Sequence, residues 1–326
     1  MRSRCAEMNV PQTAAINAIR RFIMSMRVKE LLEIGEKQLR ECDVADAAID
    51  NKLLYCFLMH VPSGRLILEY QNILPDEQCD AYFKLLDRRC SGEPLQYITG
   101  MQEFMGLPFT VNPSVLIPRQ DTEILVENGI SVIKENKLDG EELPLKPRKN
   151  WEVLDLCTGS GAIGISVAKL CAQAGLRLTC SDVSEDALSV AKENAQKNHV
   201  QAEFVCGDLF APFRKRFRKR RFDAIFSNPP YIRSAVIPSL QREITEHEPM
   251  LALDGGADGM AFYRRIISEA PDFLRKQGIL MLEIGFDQLD DVTSLLEENG
   301  RYEHIQGMKD LAGRDRVVFA CAKGDK

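Results

Sequence analysis

None of the ten cysteines sits in a CxxC pair, and the four histidines are scattered without metal-ligand spacing. That argues against a structural zinc site or a disulfide framework, and leaves His247 and His304 as surface or packing residues. Cys157, Cys180 and Cys206 stand at the ends of apolar runs, where a thiol serves as a small buried hydrophobe. Reduced cysteines point to the cytoplasm. No run approaches the roughly 20 apolar residues of a membrane helix. The N-terminus lacks a secretory apolar region followed by a small-residue cleavage site. Positive charge is short as well: 42 basic residues face 48 acidic ones, a net −6, so the surface is not built as a general nucleic-acid binder. The first 25 residues hold arginines and one acid, Glu7, which is the texture of a mitochondrial presequence. Because a good start of structure comes at Met26-Arg27-Val28-Lys29-Glu30, residues 1–25 are read instead as a disordered extension.

What is there is a chain of 326 residues, 45% hydrophobic, long enough for two cores. Over 26–92 the apolar residues recur at helical spacing: Leu31, Leu32, Ile34 and Leu39, then Ala47, Ala48, Leu53, Leu54 and Leu58, then Cys79, Phe83 and Leu86 after Pro75. A helical bundle of this size holds no obvious chemistry, and docking a substrate is its expected job. Residues 93–120 turn to Gly, Pro and β-formers. Gln96–Gly100, Phe104–Phe109 and Val115–Pro118 are predicted as short strands or a hairpin linking two domains.

Residues 121–326 begin with a predicted helix over Asp121–Glu135, capped by Asp121 or Thr122, and a charged loop over Lys137–Asn150. Strands are then predicted at Val153–Cys157, Leu176–Cys180, Ala202–Cys206, Phe222–Phe226 and Ile279–Ile284. Helices at Ala162–Cys171, Glu185–Asn198, Ala261–Arg275 and Gln288–Asn299 alternate with them, and strands near Tyr302 and at Arg316–Cys321 finish the set. The alternation predicts an α/β domain, a parallel sheet with helices on both faces and ligands at the carboxyl ends of its strands.

The first of these strands runs into Asp155-Leu156-Cys157-Thr158-Gly159-Ser160-Gly161-Ala162-Ile163-Gly164. Glycines there allow a tight turn and the close approach of a ligand. Ser160 and Gly161 open a helix whose free N–H groups favour an anionic or carboxylate group. Asp182 ends the second strand, 21 residues past Gly161, where a carboxylate can accept both ribose hydroxyl protons. Gly159, Gly161 and Gly164 also satisfy the GxGxxG pattern of nicotinamide dehydrogenases, so the loop alone secures a nucleotide-type cofactor without choosing one. Asp155 inside the first strand and Asp208 with Leu209 past the third favour S-adenosylmethionine. The former would hold the loop and the methionine end. The latter, through its carboxylate or nearby backbone, would address the adenine amino group.

The fourth strand runs into Ser227-Asn228-Pro229-Pro230-Tyr231. Two prolines fix φ and donate no backbone hydrogen bonds, so the carbonyls of Asn228 and Pro229 stay exposed. The Asn228 side-chain oxygen and a neighbouring carbonyl can both accept from one planar NH2 group, and Tyr231 offers a ring to stack on it. Two such acceptors orient a weakly nucleophilic amide nitrogen and raise its electron density as a C–N bond forms, with no ionised base. This turn disposes of the dehydrogenase. An inert scaffold would have lost the Asn or the prolines.

Taken with Gly92-Glu93-Pro94-Leu95-Gln96-Tyr97-Ile98-Thr99-Gly100, Leu116-Ile117-Pro118-Arg119-Gln120-Asp121-Thr122-Glu123, Ala252-Leu253-Asp254-Gly255-Gly256 and Lys309-Asp310-Leu311-Ala312-Gly313-Arg314, the chain resembles the peptide chain release factor glutamine methyltransferases (PrmC/HemK family). The resemblance covers nearly everything from Val28 to Lys323. It implies a class I (Rossmann-like) S-adenosylmethionine-dependent methyltransferase sheet, a small all-α N-terminal domain and a short β-hairpin linker. It also implies methylation of the glutamine of a Gly-Gly-Gln tripeptide in release factors, and a monomer suits an enzyme that must reach into a larger partner. By position, Cys157, Thr158, Gly159, Ser160, Gly161, Asp182, Leu209 and Asn228 would face the cofactor, joined by Asp155 and Asp208 from the strand ends. Asn228, Pro229, Pro230 and Tyr231 would hold the glutamine, Asn228 and Pro229 catalytically, while Arg119 and Thr122 brace the linker against the site. The alternative is an amino-methyltransferase acting on adenine or cytosine of DNA or RNA, which shares the Asn-Pro-Pro-Tyr turn. The acidic balance and the lack of a target-recognition domain speak against it.

Two features depart from the family. Cys157 stands where the family usually has Gly. Arg214–Arg221 holds seven basic residues in eight, read as a solvated loop, with contact to an acidic patch or ribosomal RNA as the sharper hypothesis.

Overall fold

A computed structural model of the chain describes residues 25–146, 148–214 and 220–323. The expected extension at 1–25 therefore lies, but for Ser25, outside the described residues. Two compact units separate between Thr99 and Gly100.

The first unit is helical. A two-residue strand β1 (Met26–Arg27) leads into α1 (Val28–Glu41) and α2 (Ala47–Met59). A one-turn α3 (Leu66–Glu69) and a short β2 (Ile73–Leu74), paired antiparallel with β1, precede α4 (Asp76–Cys90) and α5 (Leu95–Thr99). Leu31, Leu39, Leu54, Tyr55, Tyr82 and Leu86 are fully enclosed, and the Arg89 guanidinium meets the buried Asp50 carboxylate at 2.7 Å. Helix α2 buries only part of its apolar surface: Ile49, Leu53 and Phe57, spaced one turn apart, face outward. Helix α5 replaces the strand expected at Gln96–Gly100. Pro94, which has no N–H to lose at a helix start, accepts from Tyr97 and Ile98, and the Thr99 hydroxyl turns back to the Leu95 carbonyl.

The second unit opens with a hairpin, β3 (Met101–Phe104) and β4 (Leu107–Thr110), whose Phe104 and Phe109 are buried in this unit's core. Residues Val115–Ile117 are buried or half-buried but form no strand. Helix α6 (Glu123–Glu135) follows a 3-10 turn at Gln120–Thr122, and neither Asp121 nor Thr122 caps it. Both side chains are committed elsewhere, Asp121 to Arg316 and Thr122 to Asn228. The expected loop after α6 contains a small hairpin, β5 (Lys137–Leu138) and β6 (Glu141–Glu142), closed by the Asn136 side-chain amide on the carbonyls of Leu143 and Leu145.

The α/β alternation follows. Its elements are β7 (Trp151–Leu156), α7 (Ala162–Leu170), β8 (Leu176–Asp182), α8 (Glu185–Lys197), β9 (Ala202–Cys206), β10 (Phe222–Ser227), α9 (Arg242–His247), α10 (Ala261–Glu269), β11 (Leu274–Glu283), α11 (Leu289–Asn299), β12 (Tyr302–Lys309) and β13 (Asp315–Ala322). Seven strands form one sheet in the order β12-β13-β11-β10-β7-β8-β9. The five strands β7 to β11 are parallel, whereas β13 runs antiparallel to both its neighbours, so the sheet is not parallel throughout as expected. Helix α10 also stops six residues short of the expected Arg275, because Pro271 cannot donate within a helix, and β11 starts at Leu274.

Successive strand residues divide between two cores. Val153, Ala224, Phe226, Met281 and Phe319 pack with α6 and α7 on one face; Leu154, Leu156, Ile225, Leu282 and Ala320 pack with α10 and α11 on the other. Burial on both faces explains why these strands read as unbroken apolar runs. Cys180 is buried in one of these cores, as its apolar setting suggested. Cys206 is exposed instead, because β9 is the sheet's edge strand and its last residue meets solvent.

Candidate functional site

Strands β7 and β10 are neighbours in the sheet, yet β7 leads outward through β8 to β9 while β10 leads the other way to β11. A crevice opens at such a reversal, at the carboxyl ends of the strands. The two ends are pinned together by the Ser227 hydroxyl, which donates to the Leu156 carbonyl at 2.6 Å. Beyond them lies a cavity of about 370 Å3.

The loop after β7 turns through three left-handed positions, Cys157 (φ 59), Gly159 (φ 52) and Gly161 (φ 80). Asp155 holds this turn from behind. Its Oδ2 accepts the Thr158 hydroxyl at 2.5 Å and the Gly164 N–H at 2.9 Å. A Cβ at Gly164 would stand 2.9 Å from that same oxygen, so a side chain there would displace the carboxylate. Asp155 is wholly buried, and desolvation lifts its pKa to about 7 against the pull of its two donors. It does not line the cavity, and neither does Gly161. Cys157, Thr158, Gly159 and Ser160 do.

Asp182 lies at the cavity wall where β8 ends. One of its oxygens accepts the Gly159 N–H at 2.9 Å and the other the Ser184 N–H at 3.0 Å. Burial raises its pKa, opposed by these backbone donors. Asp208 and Leu209 line the cavity farther along, but the Asp208 carboxylate pairs with Arg265 at 2.6 Å, which leaves the backbone beside it as the freer polar surface.

On the β10 side, Asn228 and Pro230 line the cavity, while Pro229 and Tyr231 stand outside its wall. The Asn228 Nδ2 donates to the Thr122 hydroxyl at 3.5 Å. The Tyr231 hydroxyl donates to Glu283 Oε1 at 3.3 Å, and burial raises its pKa. Gly255 packs on the Tyr231 backbone so closely that a Cβ would lie 2.7 Å from its Cα, which accounts for the glycine in the Ala252–Gly256 block. Arg119 and Thr122 also line the cavity, and Arg119 pairs with the buried Glu248. Sequence reasoning missed Glu283, Val183 and Phe262. Glu283 follows from no local pattern, since it owes its surroundings to elements distant in the chain. Val183 was legible as the residue after Asp182. Among the described residues no group of His, Cys, Asp and Glu could hold a metal, and no helix is long and apolar enough to cross a membrane.

A sheet that reverses at β7 and β10, with a glycine-turned loop on one side of the crevice and an Asn-Pro-Pro turn on the other, defines an S-adenosylmethionine-dependent methyltransferase of class I. Comparison with known proteins narrows the class. Residues 30–100 match the PrmC N-terminal domain and residues 141–257 the methyltransferase small domain. The chain is 37% identical over 301 residues to the release factor glutamine methyltransferase of Clostridium acetobutylicum, covering 92% of this chain and 100% of that one. It is 38% identical over 297 residues to that of Moorella thermoacetica, covering 90% and 98%. Among solved structures, the release factor-specific protein-(glutamine-N5) methyltransferase of Alicyclobacillus acidocaldarius is 30% identical with a TM-score of 0.38, over 66% of this chain and 99% of that one. The chain belongs to the release factor glutamine methyltransferase family, and its methyl donor is S-adenosylmethionine.

Proposed function

We propose that the protein methylates the side-chain amide nitrogen of the glutamine in the Gly-Gly-Gln tripeptide of peptide chain release factors, as a monomer in the cytoplasm. The observation that carries this reading is the setting of Asn228. Its amide nitrogen is committed to Thr122, so its oxygen is the atom left to accept from a ligand in the cavity.

The residues present fit the methyl donor. The space where a Cβ of Gly159 would stand is open, the Asp182 carboxylate lies at the wall, and loop backbone surrounds both. Bound there, S-adenosylmethionine supplies an electrophilic methyl group. The chain's own residues do the rest by position. Asn228 Oδ1 and a neighbouring backbone carbonyl of the turn accept the two hydrogens of the glutamine NH2, which turns the nitrogen lone pair toward the methyl group; as the methyl would pass to nitrogen with loss of its bond to sulfur, the nitrogen would shed one of those two protons to water. Tyr231 backs the turn. Arg119, Pro113 and Leu251 narrow the cavity against water. The outward strip of Ile49, Leu53 and Phe57 gives the helical unit an apolar surface for docking the substrate.

The basic run is a weaker candidate for contact. Arg214 pairs with Glu269 and Arg220 with Glu203, and residues 215–219 lie outside the described residues. If the run meets an acidic partner or ribosomal RNA, neutralising four of its charges lowers affinity in a salt-dependent way; unchanged binding at low salt removes the idea.

The central test is transfer of labelled methyl from S-adenosylmethionine to a purified release factor. Label on the glutamine, lost with a Gln→Ala substrate or an Asn228→Ala enzyme, is the expected result. Label on nucleic acid with none on the release factor overturns it.

A further inference from the structure

Asn194 lies on α8 with 0% of its surface exposed, and no step described above uses it. A buried amide is costly unless bonded, so its partners carry information. Its Oδ1 accepts the Thr110 N–H at 2.6 Å. Its Nδ2 donates to the Thr110 carbonyl and to the Ser160 carbonyl, each at 2.9 Å. Thr110 is the last residue of β4, and Asn194 pairs with its backbone as a neighbouring strand would. Ser160 belongs to the loop after β7. One side chain thus joins the hairpin to the glycine-turned loop.

The bond to the loop fills a gap. In a regular helix start the Ser160 carbonyl would accept the Gly164 N–H. That N–H goes to Asp155 instead, and Asn194 supplies the missing donor. The N–H of the same peptide unit, on Gly161, donates to the Thr158 carbonyl at 2.8 Å. The peptide between Ser160 and Gly161 is therefore held at both ends, and Thr158, Gly159 and Ser160 beside it line the cavity. Helix α8 backs the loop closely. A Cβ on Gly161 would stand 3.3 Å from that of Ala191, one turn before Asn194. On the hairpin side the path to the cavity is short and fixed. The Val111 N–H donates to the Gly100 carbonyl, and Asn112 accepts from the N–H groups of Ser114 and Val115. Pro113, Ser114, Val115 and Leu116 then line the cavity.

We propose that Asn194 is a positioning residue for S-adenosylmethionine, setting the spacing between the glycine loop and the Pro113–Leu116 segment of the cavity wall. The inference goes beyond the glutamine reading and does not rest on it, because it concerns the methyl donor whatever the acceptor. Asparagine suits the place because its planar amide offers one acceptor and two donors. An ionised aspartate has no donor, and leucine has neither. Without Asn194 the Ser160 carbonyl is left buried with no donor, and the peptide that shapes the loop is held at one end only.

The test compares Asn194→Ala with Asn198→Ala. Asn198 is 4% exposed, and its side-chain amide donates to the carbonyls of Pro108, on the same strand β4, and of Asn194, at 3.0 Å each. It secures the hairpin without reaching the loop. Both variants should lower the thermal midpoint. Only Asn194→Ala is expected to weaken S-adenosylmethionine binding in calorimetry, by on the order of tenfold, as a buried carbonyl of the loop loses its donor. Asn198→Ala should stay within about threefold of wild type. Wild-type affinity in Asn194→Ala, or an equal loss in Asn198→Ala, overturns the proposal. Should either variant fail to fold, hydrogen exchange in the wild-type protein decides, because coupling between a bond and a ligand is reciprocal. Saturating S-adenosylmethionine should slow exchange of the Asn194 side-chain amide more than that of Asn198, and equal slowing overturns the proposal.

Discussion

The Arg119 guanidinium pairs with the Glu248 carboxylate across 129 residues of sequence, and the carboxylate is buried while the arginine is 40% exposed. The second Glu248 oxygen has no partner. Burial raises the pKa of Glu248, and Arg119 pulls it back.

Removing that arginine should therefore strand a buried acid. Arg119→Ala is expected to destabilise by about 1–3 kcal/mol, below the cost of breaking a fully buried pair because water screens the exposed partner. Chemical denaturation measures it. Glu248→Gln should cost less, and a double variant should be nearer the Glu248→Gln value than the sum.

Asp155 and Glu283 both have pKa values lifted to about 7 by burial. Between about pH 5 and 7 the folded protein holds protons that the unfolded chain has released, so stability falls as pH rises through this window. The thermal midpoint should be higher at pH 6 than at pH 8. Asp155→Asn should reduce that difference, and an unaltered difference would show that Asp155 is not its source.

Cys157 adopts φ 59, a conformation open to glycine at no cost and to other residues at about 1 kcal/mol. Cys157→Gly should keep cofactor affinity within a few-fold. Cys157→Val, whose branched Cβ fits poorly at positive φ, should weaken it by on the order of tenfold or more. Burial also raises the thiol pKa, so alkylation by iodoacetamide should be slow beside that of the exposed Cys42.

Asp182 receives one N–H on each oxygen. Asp182→Asn turns an NH2 against one of those donors, and S-adenosylmethionine affinity should fall by about tenfold or more, from an unpaired buried donor worth about 1–3 kcal/mol. Binding calorimetry decides, and unchanged affinity would remove Asp182 from the cofactor site.

Much of this was legible in the chain. Strands buried on both faces leave apolar runs of five or six residues, and the expected bounds of β7 to β10 fall within two residues of the observed ones at every end. The glycine loop and the Asn-Pro-Pro turn could be read because their chemistry depends on adjacent residues. The rest depends on partners remote in sequence. Thr122 looks like a helix cap until Asn228 claims its hydroxyl. Glu283 looks like the end of a strand until β13 brings Arg316 beside it. Helix α10 was drawn too long because its apolar period continues past Pro271, where the backbone cannot follow.

The strand order carries a consequence for synthesis. Loop and turn meet only when β10 slides in beside β7, after β8 and β9 have already been made, and Arg316 arrives on the last strand of all. A chain emerging from the ribosome can shape the loop after β7 early, but the Asn-Pro-Pro turn joins that loop only once β10 has been made and has paired beside β7.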